Sequence, residues 1–589
     1  MAYRTLALIA QWVLTGCTGI VATAGDTDGS GETDRTTTTA TSPPTSADAS
    51  SGSDTTGTPG SSGGSSSDSS GGADESTSTG SQTATNPVRF AFRTQDPTRL
   101  LWTEYTDGEA TSPIDLLPDA PEGYTLSTTA AFDDGRFLST CWRVLPGLET
   151  TCGIVDVSTD PPSEFRSLIG GDLSEGLLLA PPTWVPATRT LWLRASSVEG
   201  VDAGVFASEV VDGSPSATVR VLEPGEADSF SVGPDGLQLG YRRETEDGNT
   251  ELYVRSTDPK SKDPPTLFST PAPEGFRNAT VRLLPTHDAV IYAVNYPTNL
   301  IPNTASLWFV DLSGDTPSAP VRIDGTTTAP NRIDREIIAP DEHAMAFWVG
   351  PDDEINGEYV WVDLSSGAPQ PPERISDLSD ASAAIVRPQW SSDSRWFGYE
   401  ADHGGAGFRS VYLVDASGSS PGAPIQIGEG ISVDDVSAWV FSADAQWLYV
   451  TAPFGQPEPR VFRVDISGET PGDPEVIAGP PGWADGEMIL SADGMAMLHP
   501  AIEDSRSLAW ADLSAEVLRP SVLIHGPLAR DVDVTFGARF AADASAVAYS
   551  ERGDDGVSLL RITDLASGDV AVVDDEIDVG SIYPMPAPR

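Results

Sequence analysis

An all-β chain is expected from this sequence, on three observations. Beyond Gly25 no segment of ten or more residues carries a helical spacing of apolar side chains, and the 56 Gly and 49 Pro cluster between runs rich in Val, Leu, Trp, Tyr and Phe, as turns punctuate strands. An Asp-containing turn recurs ahead of a strand: FDDG at Asp134, GPDG at Asp235, APDE at Asp341, SSDS at Asp393, SADA at Asp444, SADG at Asp493 and AADA at Asp543. An acidic residue closes a later strand in WFVDLSG, VWVDLSS, YLVDASG and FRVDISG, at Asp311, Asp363, Asp415 and Asp465. In three successive copies the first mark leads the second by 22, 22 and 21 residues. Two marks in step define a unit. Followed outward through Glu104, Asp156, Glu209, Ser256, Asp512 and Asp564, the unit recurs about every 51 residues, within the period of β-propeller blades.

The chain begins with an address rather than a fold. Arg4 precedes the apolar run Leu6 to Leu14, too short to span a bilayer, and the run ends in Leu14-Thr15-Gly16-Cys17. Residues 1–16 read as a signal peptide, and Ala22-Thr23-Ala24 offers a competing cleavage site that would release a periplasmic or secreted protein. From Gly25 to Asn86 the chain is Ser, Thr, Gly and Asp with almost no apolar surface to offset ordering entropy, so a disordered linker is expected. Such a tether spans roughly 40 to 50 Å r.m.s..

The propeller is expected over residues 87–589. Its first unit supplies VRFAFRT, RLLWTEY and PIDLL, which read as strands B, C and D of a blade without strand A; the leftover DVGSIYPMP at the other end could provide it. The clearest copy places A up to Trp390, B over Trp396 to Glu400, C over Val411 to Asp415 and D over Ile425 to Ile427. Strand C is apolar at nearly every position, as in Leu307-Trp308-Phe309-Val310, which requires burial of both faces. Prolines ahead of strand D suit an outer edge that must not pair with other molecules. Counting units gives ten blades, as one large ring; the alternatives are two smaller rings, or fewer blades with an irregular insertion.

Of the 3 cysteines, Cys141 and Cys152 stand equidistant from Pro146-Gly147. A hairpin turning there sets them directly opposite one another, within the reach of a disulfide. The balance of 87 acidic against 34 basic residues, a formal charge of −53, repels nucleic acid and anionic lipid, and no basic stripe for a phosphate backbone is visible.

Three stretches resemble two known families. Leu14-Thr15-Gly16-Cys17 resembles the lipobox of bacterial lipoproteins, which implies lipidation of Cys17 and, with Thr18 rather than Asp following it, anchorage at the outer membrane of the cell envelope. EDGNTELYVRSTD and SSDSRWFGYEAD resemble the WD40-like, TolB-type propeller repeats of bacterial envelope proteins, degenerate copies of which cover most of Val88 to Arg589. That resemblance implies a binding platform; no N-terminal α/β domain accompanies it, so a TolB role is not carried over.

Chemistry is sparse. Gly60, Ser62 and Gly64 form a G-x-S-x-G match in the linker, and Gly418-Ser419-Ser420-Pro421-Gly422 a second, in which Pro421 removes the N–H an oxyanion hole would use. His287, His343, His403, His499 and His525 fall in five different units, so no catalytic residue and no zinc site is expected; His403, in a loop between strands B and C, is the one placed to open on a propeller mouth. Asp352, Glu354 and Asn356 alternate oxygen ligands as calcium loops do, without the distal bidentate Glu, so calcium is the only cofactor suggested and a plain acidic turn the main reading. Tyr296, Leu300 and Ile301 form an apolar group in the longest B-to-C loop. The expectation is a monomeric, non-enzymatic platform for an envelope protein or glycan, the alternative a hydrolase or lyase acting in the axial channel.

Overall fold

The computed structural model describes residues 87–585, apart from a set of connecting segments of which 169–176, 296–303, 377–385 and 478–487 are the longest. These residues form ten antiparallel blades, each built on four strands, numbered here in chain order. Blade 7 shows the plan: A is Val386–Trp390, B is Trp396–Ala401, C is Ser410–Asp415 and D is Ile425–Gln426, within one residue of the sequence expectation for B to D.

The ring is single, and its core shows why. Ten separate apolar clusters exist among the described residues, and each is shared by two neighbouring blades. In blade 6, strand B is Ala344–Gly350. Its Ala344, Ala346 and Trp348 pack with Phe397 and Tyr399 of blade 7, while Met345, Phe347 and Val349 pack with Ile291 and Phe309 of blade 5. Side chains alternate across a strand, so a strand apolar throughout serves two cores at once.

Closure comes from the two ends of the chain. Val579–Met585 pairs antiparallel with Val88–Thr94, with Phe92 opposite Ile582 and Arg89 opposite Met585, and so supplies strand A of blade 1. Val579 and Ile582 join Phe90 and Phe92 in the core shared by blades 10 and 1, and Met585 enters the core shared by blades 1 and 2.

Both sequence marks are Asx turns. At the A-to-B turn the carboxylate accepts from the N–H two residues on: Leu237 to Asp235 (2.9 Å), Arg395 to Asp393 (3.1 Å), Gln446 to Asp444 (3.1 Å) and Met495 to Asp493 (3.0 Å). The intervening residue is left-handed, with φ of 72° at Gly236 and 71° at Gly494, but also 63° at Ser394, 55° at Ala445 and 57° at Ala544. The same bond recurs where strand C ends, from Ser417 to Asp415 (3.0 Å) and from Ser467 to Asp465 (2.9 Å).

Two blades depart from the pattern. At Glu104 and Glu209 strand C does not stop: Leu100–Thr106 and Asp202–Val211 run on into hairpins turning at Asp107-Gly108 and Asp212-Gly213. All four turn residues have positive φ (52°, 87°, 48° and 77°), the geometry that an Asp-Gly pair favours in a two-residue hairpin.

Candidate functional site

The sequence-selected residues divide sharply. Cys141 and Cys152 lie directly opposite on strands B and C of blade 2, with Cα atoms 4.1 Å apart, and are joined as a disulfide. Cys17, Tyr296, Leu300, Ile301, Asp352, Glu354, Asn356 and His403 all lie outside the described residues, as do Gly60, Ser62, Gly64 and His525. His499 is buried in strand B of blade 9.

A cleft of about 370 Å³ lies among the turns of blades 6 and 7, and it is built from the two repeat marks themselves. The A-to-B turns contribute Asp341, His343, Asp393, Ser394 and Arg395; the turns after strand C contribute Ser365 and Ser417 to Ser419. Asx turns fix the backbone here, so these polar groups are held by rigid hairpins rather than by long loops.

His343 is fully engaged. Its Nδ1 bonds Asp341 Oδ1 at 2.5 Å and its Nε2 donates to the Ala416 carbonyl of blade 7 at 2.9 Å, with the ring edge-on to Trp390. Burial alone would raise the Asp341 carboxyl, but hydrogen bonds from the His343 ring and its backbone N–H outweigh it and hold Asp341 below its ordinary range. Arg395 is engaged as completely. It bonds Asp415 Oδ2, reaches the Ser467 and Gly468 carbonyls of blade 8 at 3.2 and 2.6 Å, and stacks over Trp396. The Asp415 carboxyl, which burial would raise, is held low by the Ser417 hydroxyl and N–H and by Arg395.

These two side chains are therefore struts between blades. They occupy the same place in successive units, two residues beyond the turn aspartate, and each extends to the C-terminal end of the next blade's strand C. Similar ties run from His287 Nε2 to the Glu342 carbonyl (3.0 Å), from the Asp341 N–H to Ser394 Oγ (3.0 Å) and from Ser392 Oγ to the Ala443 carbonyl (2.7 Å). The five histidines do fall at dissimilar places in sequence, but His343 and Arg395 share one, two residues beyond the turn Asp, and that shared position is the sequence signal for the strut; His287, ahead of Asp288 in a turn without that mark, carries no such signal.

Exposed in the cleft are Asp341, Ser365, Asp393, Ser417, Gly418 and Ser419, with Asp341 already bonded to His343 and the Ser417 hydroxyl to Asp415. The site can accept hydrogen bonds through a carboxylate and exchange them through hydroxyls. Ser420 of the G-x-S-x-G match donates to Glu373 Oε1 at 3.1 Å on the exposed surface, and no histidine accompanies it among the cleft residues of that match. Among the described residues no group of three or more His, Cys, Asp or Glu is placed to hold a metal ion.

No protein-family profile matches this chain, and no curated protein matches it. Solved structures do. A eukaryotic initiation factor aligns over 86% of this chain and 100% of its own, at 10% identity and a TM-score of 0.44. A prolyl endopeptidase aligns over 66% of this chain and 54% of its own, at 14% identity and a TM-score of 0.35, so the chain spans about half of that enzyme. TolB from Acinetobacter baumannii aligns over 59% and 82%, at 17% identity and a TM-score of 0.25. At these values none assigns an activity. One expectation is nonetheless corrected. The chain was read as a non-enzyme, yet peptidases stand among the structures similar to it, so the propeller does not mark it as one.

Proposed function

We propose that this chain is a lipoprotein of the cell envelope, anchored through Cys17 at the outer membrane, that presents its propeller as a platform for a protein or glycan partner. The observation that supports this reading is the cleft between blades 6 and 7, where rigid turns expose Asp393, Ser417 and Ser419 while His343 and Arg395 brace the walls. A concave site lined by a carboxylate and hydroxyls suits a ligand rich in hydroxyl or amide groups. The lipobox Leu14 to Cys17 supports the anchor. Among the described residues no helix is long and apolar enough to cross a membrane.

The test has two parts. Cells producing the full chain are fed an alkyne fatty acid: label should enter the wild type and be lost in Cys17→Ser. Purified envelope glycan and envelope protein fractions are then passed over immobilised protein. A saturable signal that falls at least tenfold in Ser419→Trp, which fills the cleft, is the expected result; equal signal in both overturns the site.

A further inference from the structure

Blades 6 and 7 brace against their next neighbours with different residues. After its turn Asp, blade 7 carries Arg395-Trp396 where blade 6 carries His343-Ala344. Trp396 Nε1 donates to the Ile466 carbonyl of blade 8 at 2.9 Å, and the Arg395 guanidinium spreads across Asp415 and the Ser467 and Gly468 carbonyls. One unit earlier, the counterparts of those three carbonyls are Ala416, Ser417 and Gly418. His343 Nε2 takes the first of them, as Trp396 does in the next interface. Among the described residues no donor bonds the carbonyls of Ser417 and Gly418, and both residues line the cleft.

The carboxylate of the pair lacks its arginine as well. Of the acidic residues that close strand C, only Asp156 and Asp363 are buried, each 4% exposed. Asp156 is paired at 2.9 Å with Arg136, which holds in blade 2 the place of Arg395. Asp363 accepts the Ser365 N–H at 2.8 Å, and among the described residues no cation reaches it. It stands opposite Ala344, whose side chain joins the core shared with blade 7, so Asp363 faces that same interface, where Ser365 lines the cleft. A buried carboxylate without a cation is costly. Blades 8, 9 and 10 also lack the arginine, with Gln446, Met495 and Ser545 in its place, but their Asp465, Asp512 and Asp564 are exposed or half-buried.

We infer that the cleft between blades 6 and 7 receives the guanidinium of an arginine side chain from a partner polypeptide, its N–H groups directed at the Ser417 and Gly418 carbonyls and the Asp363 carboxylate. The planar fork of arginine offers five donors in a fixed geometry, and these acceptors are the counterparts of the three that hold Arg395; the ammonium of lysine is a point charge without that fork. Asp341 and Asp393, both exposed in the cleft, and a chain charge of −53 favour a cation and oppose an anionic ligand. Resting on the reading of the cleft as the binding site, this assignment narrows the partner to a protein.

The probe is a fluorescent pentapeptide with one arginine among glycines and serines, titrated into the full-length protein by anisotropy. Saturable binding that weakens with salt is expected, at least tenfold tighter than for peptides with lysine or citrulline in the same place. His343→Arg supplies the guanidinium from within, as Arg395 does, and should weaken binding at least tenfold while the melting temperature holds or rises. Asp363→Asn should weaken it as much and serves as the second variant if the first fails to fold. If envelope protein or glycan still binds with sensitivity to Ser419→Trp while the arginine and lysine peptides are indistinguishable, the cleft remains the site and only the guanidinium assignment falls. That assignment is also overturned if binding is unsaturable, if the citrulline peptide binds equally well, or if both variants bind like the wild type.

Discussion

Deleting Val579–Arg589 removes strand A of blade 1 and tests whether the ring depends on its clasp. Three buried side chains leave with it, Val579, Ile582 and Met585, at 7%, 3% and 1% exposure. Burying such side chains contributes about 1.5 to 3 kcal/mol each, so roughly 5 to 9 kcal/mol of transfer free energy is lost. The six residue pairs with Val88–Thr94 also break, taking a few hydrogen bonds worth about 1 kcal/mol net apiece and exposing Phe90 and Phe92. Domain stabilities are about 5 to 15 kcal/mol, so the deletion removes an amount comparable to the whole. Thermal melting with light scattering is the assay. The truncated protein should aggregate or melt tens of degrees lower, and a synthetic peptide of residues 578–589 should restore part of the loss. A monodisperse truncated protein with the wild-type melting temperature would refute the reasoning, because the eight cores left intact would then suffice.

Three further outcomes follow from the same coordinates. Replacing Cys141 and Cys152 together by Ser should cost about 2 to 3 kcal/mol, read as a lower melting temperature that reductant reproduces in the wild type and leaves unmoved in the variant. Gly398→Ala should destabilise by about 1 to 3 kcal/mol in urea titrations, because its Cβ would sit 2.7 Å from the Trp439 ring in the core between blades 7 and 8. Acidification should act in two stages. Burial raises the Glu400 and Glu358 carboxyls, partly offset by nearby arginines, so their protonation favours the folded state and stability gains as pH falls through their folded values. Serine hydrogen bonds lower Asp311, Asp465 and Asp493, whose contribution is present above the ordinary 3.8 and lost as pH falls through their folded values. Melting temperature plotted against pH should therefore peak in mild acid, and Glu400→Gln should flatten the rise; a steady climb towards neutral pH would contradict it.

The period and the strand boundaries were legible because each blade repeats one turn chemistry. Asp393 and Asp415 bracket blade 7 in sequence as they do in space, and DVGSIYPMP was recognisable as the missing strand because VRFAFRT had no partner. The hairpins at Asp107-Gly108 and Asp212-Gly213 do not show in the 51-residue period: Glu104 and Glu209 carry its step, and the Asp-Gly turn signal three residues on belongs to only two of the units. The cleft was illegible for a different reason. Asp341, His343, Ser394 and Ser417 meet only when blades 6 and 7 are set side by side, and a pattern internal to one unit carries no record of how neighbouring units touch. Ring number was likewise undecided, since it is a property of ten interfaces and not of any single repeat.

The ten small cores also set the order in which the molecule can be completed. Eight of them are formed between blades adjacent along the chain, so a growing polypeptide can finish each soon after its second member emerges. The remaining two need Val579, Ile582 and Met585, nearly five hundred residues after the strand they join. Until Val579–Met585 leave the ribosome, Val88–Thr94 waits with its greasy edge uncovered, and that long-range step is the slow and aggregation-exposed one in the assembly of the ring.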